Sequence, residues 1–352
     1  MIPDPRSPPL MSFASVTSEG TTAPLELDPA EATRRIVDAL REQVGETLKR
    51  RGLVVGLSGG IDSSVSVALA VRALGPKRVF GLFMPELDSD PDSLRLASTL
   101  TQQLGIESGM EDITSILDAC GCYRRRDEAI RRVVPEFGAG WRCKIVLGGN
   151  RLDSDRLNVF QLVVESPDGK TWSVRLPAEE YRTVVAATNF KQRIRKMMEY
   201  YHADRLHYAV LGTPNRLEYD QGFFVKGGDG LADVKPIAHL YKCQVYQLAE
   251  YLDVPQEIIS RPSTTDTYSL PQSQEEFYFT LPMPVMDRIL HAHNAGAGVE
   301  DAALSLGYES EQVERAYREI DRKRATTRYL HTAPLLVEDV AEVARDHPNR
   351  VA

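Results

Sequence analysis

A short glycine-rich turn carries the residues of this chain best suited to bind phosphate. Residues 58–60, Ser-Gly-Gly, lie between an apolar run at 53–55 and a helical pattern at 63–74. A turn between a strand and a helix N-terminus presents several backbone N–H groups to one point, which the helix dipole makes positive. Asp62 is an oxygen donor that can hold magnesium against phosphate. We therefore predict a nucleotide phosphate site with a magnesium ligand.

Three other interpretations compete for the same turn, and the simplest is a tight turn that binds no ligand. A Walker loop needs Gly-Lys followed by Ser or Thr, and this chain lacks that sequence here. Residues 56–60 also fit G-x-S-x-G, the nucleophile elbow of serine hydrolases, which requires an acid and then a histidine later in the chain. His239, His291 and His331 come later, but none lies in a recognisable context. The hydrolase also leaves the pair Asp62-Ser63 unexplained.

The elements that must position this turn alternate between strands and helices. Hydrophobic periodicity and capping residues predict helices over 31–50, 63–74, 92–104, 180–202 and 241–252, with another containing 124–134. Apolar runs predict strands over 53–55, 78–85, 106–113 and 206–211. This order indicates an α/β fold with a doubly wound, mainly parallel sheet, whose ligand lies at the carboxyl ends of the strands.

One block departs from the alternation. Between 138 and 177, runs typical of strands are separated by Pro167, Asp168 and Gly169, a strong hairpin signal. We predict a small antiparallel insertion here, over one edge of the main sheet.

Composition excludes several classes of protein. The 352 residues carry a formal net charge of −8, which argues against nucleic acid as the main partner because phosphate contacts need a basic surface. No apolar run has the length of a membrane span, and residues 1–23 lack a signal-peptide core. The four cysteines, Cys120, Cys122, Cys143 and Cys243, form no CxxC pair, so we expect reduced, incidental thiols in a cytoplasmic protein.

Several motifs occur in one order along the chain. They are SGGxDS at 58–63, N-x-x-x-R-x-R at 189–195, GTxNxxE at 212–218, GxFxKxGDGxxD at 222–233, LxK at 240–242 and P-[ST]-x-D within 262–266. Together they make residues 31–282 resemble the ammonia-dependent NAD synthetases, members of the pyrophosphate-loop superfamily. This resemblance implies a fold like that of the adenine-nucleotide α-hydrolases.

The resemblance also implies the reaction. ATP would join the carboxylate of deamido-NAD to give an acyl adenylate and pyrophosphate, and ammonia would then displace AMP to leave NAD. The ATP site would comprise Ser58, Gly59, Gly60, Ser63, Thr213, Lys242 and Thr264. Asp62, Lys242 and Thr264 would be catalytic, and Mg²⁺ would lie on Asp62 and Glu218. Asn189, Arg193, Lys226 and Asp233 would bind deamido-NAD.

The chain departs from the family pattern mainly on the acid side. Val185 stands where the family has an aromatic residue a turn ahead of Asn189, and Arg216-Leu217 replaces a smaller pair. An insertion at about 118–178 precedes the acid-site helix. Amidation of a different carboxylic acid by a related ligase therefore stays open as the alternative. Arg322-Lys323 is a loose counterpart of a basic pair that the family reaches across a dimer.

The sequence also predicts how the chain divides into domains. Residues 1–30 would be a flexible tail, 31–282 the ATP-binding synthetase domain and 283–352 a helical C-terminal extension. Nothing resembles a glutaminase, so ammonia would be free or delivered by a separate donor. We expect a homodimer. Two further classes, a tRNA sulfur-transfer enzyme and a non-enzymatic nucleotide-binding module, lack support: the first needs CxxC pairs and a basic surface, and the second would not need Asp62, Glu218, Lys242 and Thr264 together.

Overall fold

The main sheet of the computed structural model is parallel and carries its strands in the order β3-β2-β1-β7. The structure describes residues 25–147, 160–265, 267–279, 281–338 and 340. The strands are β1 (Leu53–Gly56), β2 (Val79–Phe83), β3 (Glu107–Met110) and β7 (Ala209–Val210). Chain order runs outward from β1 through β2 to β3 and then returns to the other side of β1. This reversal leaves a crevice at the carboxyl end of β1, the place where such sheets bind ligands.

Helices cover one face of this sheet with an aliphatic core. They are α1 (Pro29–Glu42), which continues as a π-helical turn (Gln43–Thr47), α2 (Ile61–Leu74), α3 (Pro91–Leu104), α8 (Lys242–Tyr251) and α9 (Gln256–Ile259). A short 3₁₀ turn, Pro76–Arg78, leads into β2. Asp28 caps α1 by accepting from the N–H groups of Ala30 and Glu31, which fixes its start before the predicted residue 31.

The other face is covered by α4 (Thr114–Ala119), α5 (Cys122–Arg131) and α6 (Ala178–Leu206). The predicted strand at 206–211 was wrong at its start. The helix α6 runs to Leu206 and ends at His207, whose positive φ of 57° breaks the helix, so that only Ala209–Val210 pair with β1. The helix extends past the predicted 180–202 at both ends.

The predicted insertion forms a separate antiparallel sheet. Its strands are β4 (Arg142–Leu147), β5 (Phe160–Glu165) and β6 (Thr171–Arg175), in the order β4-β5-β6. The β5–β6 hairpin closes where Ser166 N donates to Lys170 O at 2.9 Å. The buried side chains of this sheet pack with those of α5 and with Val184 at the start of α6.

The C-terminal part of the described chain is helical, as expected. After α7 (Arg216–Gln221) and a π-helical turn (Glu275–Phe279) come α10 (Met283–Asn294), α11 (Val299–Leu306) and α12 (Ser310–His331). They share a core that includes Leu217 of α7 and Leu25. Residues 1–24 of the predicted tail lie outside the described residues, whereas Leu25 is buried.

The doubly wound α/β fold, the antiparallel insertion and the helical C-terminal region are thus confirmed. Across the described ranges, none of the helices combines the length and apolar character needed to cross a membrane.

Candidate active site

A cleft opens at the carboxyl ends of β1, β2 and β7. One side is lined by the turn that follows β1 and by the first turn of α2, and the other side by α6. Predicted site residues on its wall are Ser58, Gly60, Asp62, Ser63, Asn189, Arg193, Thr213, Glu218, Lys226 and Thr264. The structure therefore brings together the two groups of residues that the sequence assigned to ATP and to the acid.

The glycine turn is shaped to expose the N-terminus of α2. The helix starts at Ile61 with Gly60 as its N-cap and has no side-chain capping bond, so its first N–H groups are free for an anion. Gly59 has φ +70°, and a Cβ there would lie 2.5 Å from Ser93 O. Only glycine fits this position. Ser58 and Ser63 flank the turn with their hydroxyl oxygens 3.3 Å apart.

Asp62 lines the cleft and forms an ion pair with Lys242, which is buried next to the cleft wall. Lys242 is the first residue of α8 and is 1% exposed. Burial alone would lower the pKa of Lys242, but the carboxylates of Asp62 and Glu218 outweigh it and raise the pKa. Lys242 is therefore a permanent buried cation beside the helix N-terminus. It is placed to neutralise charge on a phosphate.

Glu218 is held rigidly next to this pair. Asn215 caps α7 by accepting from Glu218 N, while Glu218 Oε2 accepts from Asn215 N at 3.1 Å. Its other oxygen accepts from Gln274 Nε2 at 2.9 Å. Asn215 Nδ2 also donates to Asp62 Oδ1 at 3.0 Å, so this residue contacts the carboxyl group of Asp62 through its side chain and that of Glu218 through its backbone N–H. Burial, followed by the charge of Asp62, raises the pKa of Glu218.

The two carboxyl groups fit a magnesium site that is completed by a nucleotide. Burial and then the charge of Asp62 raise the cost of ionising Glu218, and a cation between the two carboxyl groups would offset the second effect. Mg²⁺ commonly takes one or two protein carboxylates and fills its other positions with phosphate and water. In the part of the chain that the structure describes, no group of three or more His, Cys, Asp or Glu side chains could hold a metal ion. The donor set therefore suits Mg²⁺ bound together with ATP.

Two predicted threonines lie on the wall around the glycine turn. Thr213 follows β7 and lines the cleft, and Thr264 lines it from the loop after α9, where it pairs with Ser273 in an isolated bridge. Both hydroxyl groups are thus available on the side assigned to ATP.

The acid side is formed by α6 and the loop after α7. Asn189 and Arg193 line the cleft one helical turn apart, as their spacing predicts. Arg193 Nε donates to the carbonyl of Lys226 at 3.2 Å. The Lys226 ammonium in turn donates to Tyr329 O and Thr332 O at the end of α12.

Gly59, Lys242 and Asp233 are the predicted residues that do not line the cleft. The carboxylate of Asp233 accepts from Val210 N at 2.7 Å and from the Tyr200 hydroxyl at 3.2 Å. These bonds fix β7 and α6 relative to each other. A direct contact of Asp233 with the acid substrate stays a prediction.

Lys323 of the loosely matched basic pair has a partner within this chain. Its ammonium donates to Tyr278 O at 2.8 Å and lies 4.3 Å from the centroid of that ring. Tyr278 lines the cleft, so Lys323 supports the wall from behind.

Sequence reasoning missed a buried charged group on the cleft wall. Lys196 donates to Glu199 Oε2 at 2.7 Å, and both line the cleft together with Asp229. Burial raises the pKa of Glu199 and also that of Asp229. The periodicity of α6 gave no signal for these residues, because charged side chains on a helix normally face solvent.

The antiparallel insertion also contributes to the cleft indirectly. Phe160 of β5 stacks on Tyr181 of α6 with the ring centroids 3.8 Å apart. Tyr181 lines the cleft, two helical turns before Asn189 and one before Val185. The insertion thus holds an aromatic ring near the position where the sequence has Val185.

Comparison with known proteins matches most of the chain to the family that its motifs resemble. A sequence model of the NAD synthase family matches residues 32–135 and 169–329, and so passes over most of the antiparallel insertion. The NH(3)-dependent NAD(+) synthetase of Rhizobium rhizogenes is 56% identical over 332 residues, which cover 94% of this chain and 98% of that relative. The protein of the same name from Rhizobium meliloti is 58% identical over 91% of this chain and 95% of its own.

Solved structures share the fold at lower identity. An NH3-dependent NAD synthetase from Campylobacter jejuni aligns with a TM-score of 0.59 and 23% identity, covering 89% of this chain and all of its own. An NMN synthetase from Francisella tularensis aligns with the same score, identity and coverage. These two likenesses concern the fold alone.

Proposed function

The chain belongs to the NAD synthase family, and we propose that it is an ammonia-dependent ligase that converts deamido-NAD to NAD. In this reaction the carboxylate of deamido-NAD attacks the α-phosphorus of ATP and releases pyrophosphate. Ammonia then attacks the acyl adenylate, and AMP leaves with one of the original carboxylate oxygens.

The observation that carries this proposal is the shared cleft. The uncapped N-terminus of α2 and the acid-side residues Asn189 and Arg193 line one cavity, so a triphosphate and a carboxylate can meet in it. Two anions repel, and the attack therefore needs fixed positive charge at the α-phosphorus. Lys242, buried beside Asp62, supplies such a charge without reorganisation.

Residue roles follow from position in the cleft. Ser58, Gly59, Gly60 and Ser63 would cradle the pyrophosphate, while Thr213 and Thr264 would contact the rest of ATP. Asp62 and Glu218 would hold Mg²⁺, which when bound neutralises phosphate charge. Asn189, Arg193 and Lys226 would bind the acid, with Asp233 fixing the strand beside them.

The proposal also covers the nitrogen source, the cellular location, the catalytic region and the oligomeric state. Free ammonia or ammonia from a separate donor would serve, and we place the enzyme in the cytoplasm because its four cysteines are all free thiols. Catalysis would lie within 31–282, with 283–352 as a supporting extension. A homodimer is supported by α6, where Met197 and Tyr201 are 51% and 59% exposed.

The test is a product assay with the purified chain. Deamido-NAD, ATP, Mg²⁺ and ammonium should give NAD, AMP and pyrophosphate in equal amounts, and glutamine in place of ammonium should give none. Nicotinate mononucleotide and free nicotinate, which carry the same carboxylate on smaller molecules, serve as competing acids. Faster turnover of either one than of deamido-NAD would replace the proposed substrate by the alternative acid.

A further inference from the structure

The end of α12 forms part of the wall on the acid side of the cleft. Tyr329 and Leu330 line the same cavity as Asn189 and Arg193. The match to the NAD synthase sequence model stops at residue 329, within this last turn.

Three contacts dock the end of α12 on the segment that follows α7. A Cβ on Gly222 would lie 2.3 Å from Thr327 Cβ, so glycine permits the close approach of the helix. The ring of His331 lies edge-on to Phe224, with the centroids 5.0 Å apart. Lys226 Nζ donates to the carbonyls of Tyr329 and Thr332 at 2.6 and 2.9 Å.

The bonds of Lys226 link this turn to the acid-side arginine. A lysine ammonium has three N–H donors, and two of them satisfy carbonyls at the C-terminus of α12. The Lys226 carbonyl accepts from Arg193 Nε. The position of Tyr329 is therefore set by the same residue that contacts Arg193, and one ammonium N–H is left for a substrate.

Tyr329 differs from the other aromatic residues at this end of the cleft. Tyr181 stacks on Phe160, and Phe223 stacks on Tyr278 with centroids 4.8 Å apart. Tyr329 is 64% exposed, and its ring is paired with no other aromatic ring in the described ranges. The Lys226 ammonium lies 5.5 Å from its centroid. A largely exposed ring thus lies beside the Lys226 ammonium on the acid side.

We propose that Tyr329 is a specificity-determining residue of the acid site, stacking on a flat heteroaromatic ring of the substrate while Lys226 holds it in place. The proposal rests on the proposed function, because a carboxylic acid nucleotide supplies such a ring. Stacking on a rigid tyrosine gives geometric selection as well as affinity, since offset rings prefer a narrow range of separations.

The test compares binding of two ligands to full-length Tyr329→Ala by isothermal titration calorimetry. Affinity for deamido-NAD should fall about fivefold to tenfold, whereas affinity for ATP should stay within about twofold of the wild type. Tyr329→Phe keeps the ring and should bind deamido-NAD like the wild type. Tyr251→Ala, a half-exposed tyrosine of α8, is the matched control and should change neither affinity.

The outcomes separate this inference from the reaction itself. Unchanged or tighter binding of deamido-NAD to Tyr329→Ala, with the wild type making NAD, overturns the role of Tyr329 alone. An equal loss of affinity for deamido-NAD and ATP also overturns it, because it indicates a structural effect on the whole cleft. A wild type that neither binds nor amidates deamido-NAD removes the proposed function, and this inference with it.

Discussion

The side chain of Asn215 joins the carboxyl group of Asp62 to the first turn of α7. Its oxygen caps α7 at Glu218 N, and its amide nitrogen donates to Asp62 Oδ1. The residue is fully buried, so water does not compete for either hydrogen bond. The helix cap and the orientation of Asp62 are two separable duties of this asparagine.

Substitution of Asn215 by serine should separate those duties. Serine is also a good N-cap but is too short to reach Asp62, so Asn215→Ser should unfold like the wild type and lose about tenfold in kcat. Asn215→Ala should lose the same activity and in addition about 1 kcal/mol of stability. Urea unfolding and steady-state kinetics measure both effects. Wild-type kcat in the serine variant would show that the bond to Asp62 is unimportant.

Glu218→Gln should change the magnesium requirement. The amide can still accept one hydrogen bond but brings no negative charge to the site beside Asp62, so the Mg²⁺ concentration for half-maximal activity should rise about tenfold or more. Glu257→Gln, an exposed carboxylate that pairs with Arg95, is the control and should leave it unchanged. Equal magnesium curves for Glu218→Gln and the wild type would remove Glu218 from the metal site.

At the residue scale, the sequence revealed contacts made by local motifs and missed those made over long separations. The glycine turn and the Asn215–Glu218 capping box lie within a few residues and leave a recognisable pattern. Gln274 reaches Glu218, and Lys226 reaches the carbonyl of Tyr329, only because segments that are far apart in the chain pack together. No local pattern encodes such pairs.

Among the elements, α8 is placed by a carboxyl group of the C-terminal region. Asp287 of α10 is fully buried, and its Oδ2 accepts from Cys243 N at 2.8 Å, in the first turn of α8. Lys242 begins the same turn. The helix α10 therefore helps to orient the lysine that pairs with Asp62.

Asp287 should make the stability of the protein depend on pH. Burial raises the pKa of Asp287 to about 6. Because this is above the unfolded value of about 4, the folded state binds the proton more tightly, and the stability gained below pH 4 is lost as the pH rises through 6. The loss is at most about 3 kcal/mol, since one pKa unit is about 1.4 kcal/mol.

Asp287→Asn keeps an acceptor for Cys243 N but cannot ionise, so it isolates this effect. The unfolding free energy of the variant minus that of the wild type should increase by about 2–3 kcal/mol between pH 4 and pH 7. Urea unfolding at several pH values measures it. A difference that does not change with pH would show that Asp287 ionises normally in the folded protein.

The order of the elements followed from hydrophobic periodicity, but some of their ends did not. The predicted strand at 206–211 failed at its start because α6 continues until His207 adopts a left-handed conformation, which is a tertiary outcome for a non-glycine residue. By contrast, α3 ends at Leu104, as predicted, because Gly105 adopts a left-handed conformation after it. The ends of helices and strands that are fixed by glycine can be predicted from the sequence, whereas ends that are fixed by packing cannot.

At the scale of the whole molecule, the exposed face of α6 bears on the expected dimer. Met197→Glu should convert a dimer to a monomer because it places a charge on an apolar contact, and light scattering would show the mass halved. Leu304→Glu on α11, also an exposed apolar residue, should leave the mass unchanged. A wild type that is already monomeric at micromolar concentration would contradict the dimer.

The family and the fold are confirmed by the sequence comparisons and by the parallel sheet, so the central claim is the chemistry of the cleft: transfer of AMP to a carboxylate. The most direct measurement follows the carboxylate oxygen. Deamido-NAD labelled with ¹⁸O in its carboxyl group is turned over with ATP, Mg²⁺ and ammonium, and the products are analysed by mass spectrometry. The account predicts one ¹⁸O atom in AMP and none in pyrophosphate. Label in inorganic phosphate, with ADP as the other product, would contradict it.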